Sequence, residues 1–141
     1  MLLGKNLKIN FFVKSCQKPA VSLPHNLASI GMNTKKRHHS NFDIAGFSYW
    51  DGCVAFNELK IGTELRLERE EDNKFDPYAV AIYYGEYKLG FIPRAANHEL
   101  SKFLEFGYTN AFEVRINRLT PDAHPENQVG VIVYLKVQKG E

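Results

Sequence analysis

From residue 63 to residue 137, apolar and polar side chains alternate in short bursts, the period of strands that are half buried against a core. Residues 63–69 put Leu65 and Leu67 on one face and Glu64, Arg66 and Glu68 on the other. Residues 78–84 form an almost unbroken apolar run, Gly85-Glu86 a tight turn, and residues 87–92 the returning arm of a hairpin. Phe112, Val114 and Ile116 alternate with Glu113 and Arg115, and Val129, Val131, Val133, Leu135 and Val137 share one face of a last strand. Ahead of these, residues 42–50 are rich in aromatic side chains and read as a first strand, stopped by the turn pair Asp51-Gly52. The period changes once. After Pro93, which opens a helix without losing a useful N–H, Ala96, Leu100, Phe103 and Leu104 recur at helical spacing up to Gly107. That predicts one main α-helix over about residues 94–106. The order β-β-β-β-α-β-β describes a mostly β fold, a small antiparallel β-barrel in which closure removes exposed sheet edges.

Charge divides the chain where periodicity begins. Residues 1–42 carry seven basic side chains and no Asp or Glu, whereas the remaining 99 carry 11 basic and 16 acidic side chains. This asymmetry predicts a basic N-terminal arm over residues 1–41 and a folded domain over 42–138. Lys5, Lys8 and Lys14 interrupt the apolar run of residues 7–13, against a secretory signal, and Arg37 is the arm's one arginine, against an organellar transit peptide. The cluster Lys35-Lys36-Arg37-His38-His39 reads either as a solvated arm or as a phosphate contact, and Met32, just before it, is a second candidate start. No run of about 18 apolar residues is present to span a membrane. Cys16 and Cys53 have no partner at CxxC spacing, which points to a reducing, cytoplasmic setting.

Signatures of catalysis are missing. The sequence contains no Gly-x-Ser-x-Gly elbow, no GxxxxGK[ST] phosphate loop and no His/Cys pair at metal-ligand spacing. The expectation is a non-enzymatic protein without cofactor or metal. Residues 70–76, Glu-Glu-Asp-Asn-Lys-Phe-Asp, lack the Gly and closing Glu of a Ca²⁺ loop, and Asp and Asn are ordinary residues of a solvated turn.

The surrounding pattern gives that turn a second meaning. Residues 46–50 (Gly-Phe-Ser-Tyr-Trp), 65–70, 73–82 (Asn-Lys-Phe-Asp-Pro-Tyr-Ala-Val-Ala-Ile) and 89–94 (Leu-Gly-Phe-Ile-Pro-Arg) follow one another in an order that resembles the HIRAN domain. This domain is found in chromatin-remodelling and DNA-repair helicases and as small bacterial proteins. The resemblance covers about residues 43–137. It implies an OB-like barrel that binds the 3′-hydroxyl end of single-stranded DNA. Tyr49 and Phe75 match the aromatics that sandwich the terminal base, with Trp50 beside them. Asp76 matches the carboxylate that accepts from the 3′-OH, Asn73 a polar neighbour, and Arg94 a cation facing the backbone. It also implies DNA ends, and a helicase or nuclease, as partners. Ser48 and Phe91 stand where DNA-end binders carry arginine and histidine, and Tyr78 where they carry asparagine. Two rival readings follow from the residues: a protein-interaction or targeting module with a vestigial pocket, and a nuclease using Asp72 and Asp76.

Overall fold

A computed structural model describes residues 35–137. The apolar run of residues 7–13, Cys16 and most of the basic arm lie outside them. Six strands form one antiparallel sheet: β1 (Lys36–Asp43), β2 (Glu64–Arg69), β3 (Val80–Tyr84), β4 (Tyr87–Phe91), β5 (Phe112–Leu119) and β6 (Val129–Lys136). Their spatial order is β1-β6-β5-β2-β3-β4. A four-residue helix, α1 (Gly52–Ala55), follows β1, and the main helix, α2 (Arg94–Glu105), links β4 to β5. The predicted helix and five of the six predicted strands stand where periodicity put them.

The first strand does not. Residues 47–49 form a 3-10 turn leading to α1, and β1 lies at Lys36–Asp43, within the stretch read as arm. Lys36 is held by Glu113 of β5 at 2.9 Å. Phe47 is the aromatic of residues 47–50 that enters the core, fully buried, whereas Tyr49 and Trp50 stay outside.

The sheet also falls short of a closed barrel. Strands β2 and β5 share the pairs Glu64–Arg115 and Leu65–Val114 and then part. The two ends of the sheet meet at a single bridge, where Ala45 and Phe91 exchange both backbone hydrogen bonds at 2.9 Å. Gly90 permits that approach. Its φ is +147°, and a Cβ there would lie 2.4 Å from the Ala45 carbonyl oxygen. The curled sheet encloses Ile44, Phe47, Val80, Ile82, Leu89, Ile116, Val129, Val131 and Val133, with Leu100 of α2 closing one end. Two polar residues of α2 are buried with it: Ser101 accepts from Arg69 of β2 at 3.2 Å, and Asn97 reaches the loop between β2 and β3. Helix α2 therefore serves both the core and that loop.

Candidate functional site

The β2–β3 loop is organised by its own Asn and Asp. It is shut at its base by the Glu70 N–H, which donates to the Ala79 carbonyl at 2.9 Å. Inside, Asn73 Oδ1 accepts from the backbone N–H groups of Phe75 (2.9 Å) and Asp76 (3.0 Å), and its amide donates to Glu70 Oε2 at 3.1 Å. This is the local side-chain turn that Asn favours. Asp76 continues the scheme. Its Oδ1 accepts from the Tyr78 N–H at 2.9 Å, its Oδ2 accepts from the buried Asn97 amide at 2.7 Å, and Arg94 Nε stands 3.8 Å from the same oxygen. Arg94 also donates to the Phe75 carbonyl at 2.9 Å. With backbone tied on both sides, the Phe75 ring is held outward, 86% exposed.

Residues 49–51 and β4 form a second cluster, linked to the loop through Lys88 and Glu70. Gly52 packs so tightly on Phe47 that a Cβ would lie 2.6 Å from its ring, and this fixes the turn that presents Tyr49 and Trp50. Tyr49 is 81% exposed and Trp50 44%. Lys88 of β4 sits 3.7 Å from the Trp50 ring centre and 4.4 Å from that of Phe91, and its amine pairs with Glu70. Asp51 fastens the turn to β4, donating its N–H to the Lys88 carbonyl at 2.8 Å.

These contacts make one continuous chain, from Trp50 through Lys88, Glu70 and Asn73 to Phe75, Asp76 and Arg94. Five of the six residues singled out from sequence are joined by it, and Tyr49 adjoins Trp50 along the backbone. Sequence reasoning missed Lys88 and Asn97. Lys88 is a lone cation inside a hairpin strand, and Asn97 a polar residue beside the apolar stripe of α2; both were visible signals.

The chemistry is that of an acceptor beside π-faces. An ionised carboxylate has about four lone-pair sites. Asp76 commits two of them to neutral N–H donors, so capacity remains to accept from a hydroxyl. Arg94, 75% exposed along its side chain, has further donors directed at solvent. Among the described residues, no three His, Cys, Asp or Glu side chains are grouped so as to hold a metal ion. None of the described helices is long and apolar enough to cross a membrane.

A search of the curated proteins finds no match. Among solved structures, the crystal structure of a protein from Lactobacillus plantarum, a structural-genomics target, superposes with a TM-score of 0.63 at 20% identity, covering 74% of this chain and 99% of that one. That likeness establishes the shared fold. The family model of the HIRAN domain, a nucleic-acid-binding module, matches residues 38–138. With that match running from within β1 to the end of β6 and including the loop built on Asn73 and Asp76, the chain belongs to the HIRAN-domain family.

Proposed function

We propose that the protein is a non-enzymatic module that grips single-stranded DNA at or near a 3′-OH end. The observation that carries this reading is the exposed Phe75 ring next to a carboxylate fixed by Asn97 and the Tyr78 N–H, with Tyr49 exposed on the turn that Trp50, Lys88 and Glu70 link to the same loop. A base stacked on an aromatic ring contributes about 1–3 kcal/mol whatever its identity. Asp76 accepts from a free terminal hydroxyl and repels a phosphate in the same place, which selects an end by penalising an internal nucleotide. Arg94 faces the adjacent backbone. Lys88 places an amine against Phe91, the position where DNA-end binders carry histidine, but that amine is engaged by Glu70 and does not replace the missing cation. The work falls in DNA repair or processing in a reducing, cytoplasmic setting, alongside a helicase or nuclease that acts on the same end.

A labelled oligonucleotide titrated at low salt with 3′-OH and 3′-phosphate ends tests this. The hydroxyl end is expected to bind at least about tenfold more tightly, the scale of one hydrogen bond to a charged group. Equal affinity for the two ends removes end recognition. Ser48, Phe91 and the −5 net charge of residues 43–141 favour the second reading, a protein-interaction module. Capture of a protein partner that is indifferent to Asp76→Ala, with no DNA binding below about millimolar, would establish it.

A further inference from the structure

A groove of about 620 Å³ lies between β1 and the first turns of α2, lined by His38, His39, Ser40, Ala95, Ala96, His98 and Glu99. Three consecutive residues of β1 line it, although successive side chains of a regular strand point to opposite faces. The cause is a β-bulge. His38 is opposite Tyr134 and Ser40 is opposite Val133, so His39 is an extra residue in the strand. Bulges re-aim side chains in this way, and they are over-represented beside functional sites. On the helix side, two alanines leave the space open.

The three imidazoles are held in position. The His38 Nε2 meets Asn41 Oδ1 at 3.2 Å, and His39 Nδ1 meets Ser40 Oγ at 2.9 Å. The His98 ring stands edge-on to Tyr78, 4.2 Å between centroids. Tyr78 is also the residue whose N–H binds Asp76. His98 lies four residues after Arg94 on α2, the same helix face about 6 Å farther along the axis. The groove thus continues the path that begins at Phe75, Asp76 and Arg94.

We propose that this groove holds a backbone phosphate of the bound strand, farther inward than the phosphate that joins the last two nucleotides. The inference rests on the DNA-end reading above and extends it along the strand. Imidazoles and a serine hydroxyl supply N–H and O–H donors, and the imidazoles do not group so as to hold a metal ion. Charged neighbours are few. Glu99 lies 3.5 Å from His39 Nε2, the Tyr134 ring of β6 stands edge-on to His38 at 6.4 Å, Arg94 stands at the helix start, and Lys36 on β1 is neutralised by Glu113. Glu99 is 68% exposed along its side chain and free to swing aside for an anion.

The test is a salt series with two 3′-OH oligothymidines, a dinucleotide and a strand of about ten nucleotides, at about pH 6 and about pH 7.5, a range across which imidazole side chains change charge. For the longer strand, the log–log salt slope is expected to steepen at the lower pH by about 0.7 per imidazolium–phosphate contact, and for the dinucleotide it is expected to stay fixed. The triple variant His38→Gln/His39→Gln/His98→Gln, with an unchanged thermal melt, should lose the steepening and keep its preference for 3′-OH over 3′-phosphate. Steepening that survives in the variant, that appears equally with the dinucleotide, or that is missing from the unmodified protein overturns the groove assignment. Loss of the end preference in the unmodified protein is a different result, and overturns the reading beneath it.

Discussion

Glu113 on the outer face of β5 and Asp76 in the β2–β3 loop have the same side-chain exposure, 16%, and opposite surroundings. Glu113 is met by two cations, Arg115 Nε at 2.7 Å and Lys36 Nζ at 2.9 Å. The hydrogen bond from Arg115, above all, holds its carboxyl below the usual carboxylate range; Lys36 adds to this, and partial burial works against it. Asp76 is met instead by two neutral N–H donors at 2.7 and 2.9 Å, with its one cation at 3.8 Å. The first region ties β1 to β5 and satisfies its charge within the fold. The second fixes a carboxylate by dipoles and leaves part of its acceptor capacity, and the rings beside it, to a ligand.

The largest effect comes from the frame that supports both regions. Gly90→Ala should reduce unfolding free energy by about 3 kcal/mol in urea melts, the combined scale of a strained φ and an overpacked contact. A smaller loss would mean that the bridge between Ala45 and Phe91 contributes little. Next, Phe75→Ala should weaken oligonucleotide binding by about 1–3 kcal/mol in a titration, with stability unchanged within about 0.5 kcal/mol because the ring is exposed. A variant that unfolds instead would make the ring a structural plug. Asn97→Ala should cost about 1 kcal/mol of stability and narrow the difference between 3′-OH and 3′-phosphate, since Asp76 loses a short donor. The smallest effect is expected for Glu113→Gln, below about 1 kcal/mol at neutral pH, the scale of a partly exposed ion pair. Its pH dependence has a fixed sign. Because the folded value lies below the ordinary 4.5, the stabilisation is present above that range and is lost as pH falls through the lowered folded value. Melts of the parent and of Glu113→Gln should therefore converge in acid, and a gap that stays constant would assign the effect to packing.

Periodicity was sufficient for β2 to β6 and for α2 because each buries one face against the same core. It failed for β1, whose sequence from Lys36 to Asp43 is polar and charged. That is the composition of an edge strand guarded against pairing with other chains, and the bulge at His39 removes what alternation remained. Residues 42–50 mimic a strand through the two-residue spacing of Phe47 and Tyr49, but Gly46, with φ of +70°, turns the chain before them. In the site, Asn73 and Asp76 were legible as turn residues because their partners are two or three positions away. Lys88 reaches Glu70 across 18 residues and Asn97 reaches Asp76 across 21, contacts made by the hairpin and the helix only once folded.

The pairing of β1 with β6 joins Lys36 to Lys136, the first described strand to the last. During synthesis the ribosome must deliver every intervening strand before β1 has a partner, whereas the β3–β4 hairpin closes through a two-residue turn as soon as it emerges. Until its mate arrives, the polar, cationic start of β1 is solvated at little cost, whereas an apolar strand waiting as long would be open to pairing with other chains.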